Sequence, residues 1–479
     1  MCRVVCKSVS VKQVSALVFL LFFIHSLTLS AQSAATHSPA LPMLHIDAIR
    51  IEGNKHTKSS IILRELPFSE GDTCQLPQLV NWFDESKRVL MNTTLFQQVT
   101  VFADSILGDQ VQVMIRVKER FNIYPALYLE PVDRNLNQWL IEQRASLRRV
   151  NYGAQLFLNN TTGRGDRTIL TLLGGYTQQV SFSYDRPYID QRLRWGLRAG
   201  FSIGRNKEVN VETRNDKQVF LRDPDRFLKN QFIVFGELQH RPRIDTRHSF
   251  GFQWKSEQVA DTVVVRNPDY FPDADRRVQF PRFYYALNYQ RVDHVPYPQK
   301  GLLAQVQVSR SGLGSSIGLW ELQVKGMQHW PFDQKWSIAI GFFAGIKSPV
   351  KQPFINRRMM GYGNQFLSGY EYYVVDGLAG GLSRMFLTRE LVRQTFRLNY
   401  KKGKEPATIP VRIMARSFMQ AGYVHDPDVP PGGRLANTLL YSGGVGLDFL
   451  LFYDLLFRVE YSINRFGENG LFLHRKYPF

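Results

Sequence analysis

KWSIAIGFFAGI, residues 335–346, alternates with a period of two. Trp336, Ile338, Ile340, Phe342, Ala344 and Ile346 fall on one face, and Ser337, Ala339, Gly341 and Gly345 are among those on the other. Successive side chains of a β-strand point to opposite faces, so this stretch reads as a strand with one apolar face and one small or polar face. LLFRVEYSIN (455–464) reads the same way, with Phe457, Val459, Tyr461 and Ile463 opposing Arg458, Glu460, Ser462 and Asn464. The runs FYYALNYQ (283–290) and GLLAQVQVSR (301–310) repeat the pattern. A strand that meets lipid on one side and a polar lumen on the other has this signature. A soluble sandwich or a lipocalin-like barrel alternates too. Aromatic-heavy apolar faces, Tyr and Trp near strand ends and a chain without disulfide pairs favour the membrane barrel.

From about Phe121 to Phe479 no convincing helix interrupts these runs. The roughly 360 residues give about sixteen strands at about 22 residues per strand and loop, and bacterial barrels have even counts. The expected fold class is mainly β, an antiparallel transmembrane barrel of about sixteen strands behind a small α/β domain. Composition agrees: 44% of residues are hydrophobic and 13% aromatic, with 34 Phe and 21 Tyr, yet the mean hydropathy is only −0.24. Apolar residues are plentiful without forming long blocks. The net charge of +19 comes from Arg spread along the whole chain without a recognition motif, which argues against nucleic acid. A basic lumen and contact with anionic outer-membrane lipid or lipopolysaccharide account for it better.

Lys7 and Lys12 precede an apolar run from Val14 to Leu29, and small residues follow at Ser30, Ala31, Ser33, Ala34 and Ala35. The strictly apolar part, roughly 12 to 16 residues, is shorter than the roughly 20 a spanning helix needs, so residues 1–31 read as a cleaved secretory signal. Residues 32–43, rich in Ser, Ala and Pro, read as a flexible linker. Cys2 and Cys6 fall in the signal, leaving Cys74 alone; no internal disulfide and no thiolate metal cluster can form. No cofactor or metal is expected.

Residues 44–120 change character. Ile46, Ala48 weakly, Ile49 and Ile51 suit a strand, Gly53 and Asn54 a turn, and Thr57 a helix N-cap before Ile61, Ile62 and Leu66. Leu79, Phe83 and Leu90, with Val80 and Trp82, are spaced for an amphipathic helix. Two strand-like runs follow, the second with Val111, Val113, Ile115 and Val117 alternating. In this order of strand, helix, helix, strand, strand, the pieces Ile49-x-Ile51-x-Gly53-Asn54, Arg64-Glu65-Leu66, Leu95-Phe96 and the closing V-K-E-R resemble a POTRA domain.

The remaining 121–479 resembles the barrel of the BamA/TamA family of outer-membrane assembly proteins. In DHVPYPQKG, Asp293, Pro298 and Gly301 match that family's turn between two middle strands; as residues alone they read as a proline turn in a hairpin. MMGYGNQFLSGYEYYVVDG (359–377) aligns with the family's loop that folds into the lumen. Leu367, Ser368, Gly369 and Tyr370 occupy its V-R-G-F/Y positions, so Ser368 replaces the arginine. FMQAGYV matches a strand of the form F-x-D-x-G; Phe418 and Gly422 agree, and Gln420 replaces the aspartate. Both members of the family's ion pair are thus neutral here, which avoids a lone buried charge, and Ser368 and Gln420 retain the groups for a hydrogen bond. The closing stretch, with Gly470, Leu471, Leu473 and terminal Phe479, resembles the barrel insertion signal; Pro478 fits a paired strand poorly. Phe479 also suits a simple interfacial anchor.

Two motifs carry no chemistry in this context. GSSIG (Gly314, Ser316, Gly318) matches a nucleophile elbow but sits in a Gly/Ser-rich turn. Arg164-Gly165-Asp166 lies in what reads as a hairpin turn. Nothing points to an enzyme.

The resemblance implies a barrel that inserts or translocates proteins at the bacterial outer membrane, with its POTRA domain in the periplasm. Its partners would be unfolded client proteins and periplasmic or lipoprotein subunits. Leu95, Phe96, Val99 and Val101 lie on a candidate edge strand to which an extended client would add. The seam between the first and last strands is the expected opening. A passive transport barrel with the POTRA domain as a docking module, and a partner-binding barrel within a larger surface complex, remain open. A single POTRA domain suggests an accessory insertase or a dedicated exporter rather than the central machine.

Overall fold

In this computed structural model the described residues are 42–132, 139–140, 144–314, 317–363, 365–398, 407–452 and 455–474. The expected signal peptide, nearly all of the linker, Ser316, Pro478 and Phe479 lie outside them.

The N-terminal domain runs β1 (Met43–Glu52), α1 (Ser59–Arg64), β2 (Thr73–Gln75), α2 (Leu76–Asn92), β3 (Phe96–Leu107) and β4 (Gln110–Glu119). Its sheet has the order β2-β1-β4-β3, with β1 parallel to β4 and β3 antiparallel to it. The phase slip in the apolar pattern of β1 has a structural cause. A register shift between Ile46 and Ala48 moves the inward face from Leu44 and Ile46, both buried, to Ile49 and Ile51, which pack against the same core; an extra residue in a strand swaps its faces in this way. Helix α2 carries a proline in its first turn, where no N–H partner is lost, and the chain leaves its end through Thr94 at φ 63°. Leu79, Val89 and Leu90 of α2 are buried, and Leu79 and Leu90 join Ile62, Phe68, Phe96, Val99, Val113 and Ile115 in one core. Each such buried apolar side chain contributes roughly 1.5–3 kcal/mol. Val80, assigned by spacing to the inner face, is 52% exposed.

Sixteen strands form the second sheet, each antiparallel to its sequence neighbours, from Ile123–Pro131 to Asn469–His474. The alternation has the expected sense. In Trp336–Ser348 the residues Ile340, Phe342, Ala344 and Ile346 are exposed, while Ser337, Ala339, Gly341, Phe343 and Lys347 are buried. In Leu455–Asn464 the exposed set is Phe457, Tyr461 and Ile463, and the buried set includes Arg458, Glu460, Ser462 and Asn464. The polar face therefore lines the interior, as lipid outside requires.

Loops at the end away from the N-terminal domain roof the barrel. The hairpin Glu208–Arg214 and Lys217–Arg222 reaches across to the loops after the eleventh strand, Trp336–Ser348, and the thirteenth, Ala407–His425. There the Asp216 carboxylate accepts from the backbone N–H of Arg434 at 2.8 Å, and its carbonyl accepts from Val374 N at 2.8 Å.

Candidate functional site

Two groups of residues organise the interior: a loop held inside the lumen, and the turns on which the N-terminal domain sits.

The loop between Trp336–Ser348 and Ala379–Leu398 enters the barrel. Leu367, Ser368 and Tyr370 are all buried, and the loop packs Met359, Met360, Leu367, Tyr370 and Val375 against Phe343, Leu382, Val424 and Leu440 of the wall. Gly422 leaves room for it: a Cβ there would stand 2.8 Å from Met360 Cε and 3.1 Å from Leu367 Cδ1. Ser368 and Gln420 meet. Ser368 N donates to Gln420 Oε1 at 3.2 Å, and Gln420 Nε2 donates to Ser368 Oγ at 3.1 Å. The two side chains thus form a neutral, reciprocal pair. Gly369, at φ 87°, donates to Glu371 Oε2 at 2.7 Å and its carbonyl accepts from Asn464 Nδ2 at 2.8 Å. Tyr370 donates its hydroxyl to the Tyr441 carbonyl at 3.2 Å, and Arg384 donates to the Phe366 carbonyl at 2.6 Å. Strands twelve to fifteen, Ala379–Leu398, Ala407–His425, Leu440–Leu451 and Leu455–Asn464, therefore each hold the loop by at least one hydrogen bond.

Beneath the loop lies a buried charged network absent from the sequence-based expectation. Arg458 binds Asp448 at 2.7 Å, Tyr297 donates to Asp448 at 2.8 Å, and Arg416 pairs with Glu460. His474 Nε2 lies 3.2 Å from Glu460 and 3.5 Å from Glu371. The rings of Phe386 and Phe418 flank the Arg416 guanidinium at 4.8 and 5.2 Å, which explains why Phe418 is buried on the lumen face. The alternation placed Arg458 and Glu460 on the inner face, but pairing across strands leaves no local signal.

The second group joins the two domains. Glu65, 1% exposed, receives two hydrogen bonds from Arg241, at 2.6 and 2.8 Å, and one from Tyr188 at 2.6 Å. Burial pushes the Glu65 carboxyl up, but the Arg241 guanidinium and the hydrogen bonds outweigh it and hold Glu65 below its ordinary value. Burial, then the Glu65 charge, pushes Tyr188 up to about 12. Arg64 donates to the Leu193 carbonyl at 2.7 Å. Arg64 and Glu65, which resembled a family motif, thus fasten the domain to the barrel, while Leu66 stays in the core. Thr57 is not an N-cap; Lys58 holds that position without a side-chain bond. Thr57 instead accepts from Asn160 at 2.8 Å, and Lys58 N donates to the Gly163 carbonyl at 2.9 Å. The Arg164–Asp166 motif belongs to this same docked turn, where Asp166 is 1% exposed and accepts from Thr162 N at 2.9 Å. A polar cavity of about 740 Å³ opens between domain and lumen, lined by Glu65, Arg88, Asp185, Glu237 and Arg241 among others.

The turn Asp293–Gly301 closes on itself and on both sides of the barrel. Asp293 Oδ1 accepts from Gln299 N at 2.9 Å and Lys300 N at 3.1 Å. Gly301 sits at φ 105°, and a Cβ there would lie 2.0 Å from the Arg291 carbonyl. Pro298 is buried beside Tyr297. On one flank Arg88 and Asn92 of α2 donate to the Val292 carbonyl at 2.7 and 2.9 Å. On the other, Gln299 accepts from Arg412 at 2.5 Å.

The candidate client edge differs in detail from expectation. β3 is a terminal strand of its sheet, but Phe96 and Val99 are buried in the domain core, and Leu95 and Val101 pack against it. Only the backbone edge is left for an added strand. In the last strand Leu471 is 56% exposed, whereas Phe472, not singled out from sequence, is 2% exposed. Gly470 fits against the Phe472 ring, 2.9 Å from where its Cβ would be.

Residues 160–448 match the family profile of the Omp85 superfamily domain, and residues 44–120 match the POTRA profile, described as a surface antigen variable number repeat. No curated protein sequence matches the chain. Among solved structures it is similar to BamA from Haemophilus ducreyi lacking POTRA domains 1–3, with a TM-score of 0.52 and 15% identity, over 90% of this chain and 84% of that one. It is also similar to CdiB from Escherichia coli, with a TM-score of 0.55 and 11% identity, over 90% and 75% of the two chains. CdiB from Acinetobacter baumannii gives 0.51 and 12%, over 91% and 74%.

Proposed function

Because the chain belongs to the Omp85 superfamily, an outer-membrane barrel with its POTRA domain in the periplasm, we propose that it inserts or exports protein clients at that membrane. The observation that carries this reading is the sheet's two ends. The ladder runs from Ile123–Pro131 to Asn469–His474 and these strands are its termini. Among the described residues the last strand pairs with its neighbour from Asn469 to His474. A strand at the end of a ladder is paired along one edge and so separates at lower cost than an interior strand, because each paired residue adds its own hydrogen bonds and packing. The exposed first strand, with Leu127 93% and Leu129 72% exposed, then offers a backbone edge to a client strand.

The POTRA domain contributes by backbone pairing at β3, and it delivers a client to the cavity lined by Glu65 and Arg241 at the barrel mouth. The lumen loop fixes the C-terminal strands while the seam parts. Client proteins are thus the proposed partners, with anionic outer-membrane lipid or lipopolysaccharide around the barrel. No step is enzymatic.

A disulfide engineered between Ile123–Pro131 and Asn469–His474 tests the reading. The oxidised lock is expected to abolish complementation in cells depleted of the wild-type protein, and reduction restores it. A locked barrel that complements fully overturns the seam and leaves the passive barrel as the better account.

A further inference from the structure

We infer that a row of polar side chains on the outer wall, Gln178, Arg205, Asn230, Gln258 and Arg277, binds the phosphate groups of a lipopolysaccharide molecule in the outer leaflet. The row is set by register. Gln178 stands opposite Arg205, Arg205 opposite Asn230, Asn230 opposite Gln258 and Gln258 opposite Arg277. It therefore crosses the fourth to eighth strands, Thr177–Arg186, Trp195–Asn206, Lys229–His240, Thr246–Val259 and Arg277–Val292. Its residues share a face with Ile203, Phe232 and Trp254, which are 52%, 39% and 36% exposed, because side chains two apart on a strand point the same way. That is the lipid face.

The height of the row places it at the headgroups. At the other end of the same strands Trp195, His240 and His248 form a second row, with successive ring centroids 4.4 and 6.1 Å apart. An aromatic row of this kind marks a membrane interface, and this one adjoins the turns that receive the POTRA domain. Ten residues of strand separate Trp195 from Arg205, about 33 Å. At a tilt of about 40° this spans about 25 Å, the height of the apolar band of outer-membrane barrels. With Trp195 at the periplasmic interface, Arg205 stands at the outer one.

The row is cationic and its arginines are held ready. No member is acidic, and neither Arg205 nor Arg277 has an ion-pair partner among the described residues. On the adjoining turns Asp223 already accepts from the N–H groups of Asp225 and Arg226, and Asp261 pairs with Arg276 at 2.6 Å. Arg205 Nε donates to Gln178 Oε1 at 2.7 Å, and the guanidinium lies 4.1 Å from the centre of the Phe227 ring, which leaves its terminal nitrogens for an anion. Arg277 is aimed likewise by Gln279, whose amide oxygen, turned toward its donors, accepts from Arg277 Nε at 3.0 Å. Guanidinium groups bind phosphate through paired N–H donors, and the amides of Asn230 and Gln258 supply more between them. Three ladder steps, about 14 Å of backbone, separate the two arginines, a span that suits two phosphates on one glycolipid headgroup. Below the row a groove of about 600 Å³ continues beside Val180, Ile203 and Phe232. Charge above and apolar surface beneath match a phosphorylated headgroup and its acyl chains.

The site rests on the barrel's place in the outer membrane and not on what it transports, and it lies away from both ends of the sheet.

The test uses the full-length protein in mild detergent, with folding verified by heat-modifiable gel migration. Titration with deep-rough lipopolysaccharide, read by native mass spectrometry, is expected to show one molecule held tightly by the wild type. R205Q/R277Q is expected to weaken binding at least about tenfold. Q258E, which sets a carboxylate between the arginines, is expected to weaken it too and serves if the double variant fails to fold. K55Q/K87Q, which removes the same charge from exposed positions of the POTRA domain, is expected to bind as the wild type does. Wild-type affinity in folded R205Q/R277Q or Q258E overturns the site. Equal binding of dephosphorylated lipid A removes phosphate from the recognition, and equal competition by phosphatidylglycerol replaces lipopolysaccharide with any anionic lipid; either result overturns the proposal. The seam lock is scored by complementation, so its failure and the failure of this site are read separately.

Discussion

Glu65 and Arg241 form a two-pronged ion pair, 2.6 and 2.8 Å long, between the end of the first POTRA helix and a turn of the barrel. Because Glu65 is buried, removing Arg241 strands a charge. R241A is therefore expected to cost about 3–5 kcal/mol, and E65Q/R241M less than R241A alone. Urea unfolding of the three proteins checks the order.

The same pair sets a pH limit. Glu65 titrates below its ordinary value when folded, so its contribution is complete above the unfolded carboxylate range and disappears as pH falls through the folded value. Proteolysis between the two domains is expected to rise steeply only in that acid window. E65Q should flatten the profile.

At the neutral lumen pair the two reverse substitutions are unequal. Arg384 lies directly across the ladder from Gln420, so Q420D acquires a neighbouring cation, whereas S368R adds a further positive charge to a site that already has one. S368R is expected to destabilise by about 3 kcal/mol, with Q420D milder and S368R/Q420D recovering part of the loss. A double-mutant cycle by thermal unfolding measures the coupling.

Gly301 tolerates no side chain. With φ at 105° and the Arg291 carbonyl 2.0 Å from where a Cβ would stand, G301A is expected to cost at least about 2 kcal/mol. A Tm indistinguishable from wild type would show that the turn relaxes freely.

On the outer wall, Ile340 is 44% exposed and faces lipid near the middle of its strand. I340R is expected to cost about 2–4 kcal/mol, while Q323R, on the inner face, costs far less. Folding into vesicles followed by gel shift compares them.

The alternation in 335–346 and 455–464 made the barrel legible, because lipid and lumen act on every second residue and leave a local record. The bulge at Ile46 and Ala48 blurred β1 without hiding it. Thr57 misled because a threonine before a helix usually caps it, and only the arrival of Asn160, a hundred residues later, gives its hydroxyl another partner. Ser368 and Gln420 could be paired from sequence because two departures matched. Glu371, His474 and Arg416 could not, since each reads alone as one more polar lumen residue. Leu95, Phe96, Val99 and Val101 were legible as a strand, but an edge and a core face have the same composition when the strand has both.

The turn Asp293–Gly301 has a mechanical meaning beyond its fold. The other turns that receive the POTRA domain, around residues 160–166, 187–194 and 241–245, all belong to the N-terminal half of the wall. Among the described residues, only this turn also grips the opposite half, through Tyr297 to Asp448 and Gln299 to Arg412, while α2 holds its root at Val292. The first half of the wall is thereby a stator bolted to the periplasmic domain. A tug on α2 reaches strands thirteen and fourteen by two routes, around the wall through the successive ladders or straight across this strut, and the strut is the shorter path.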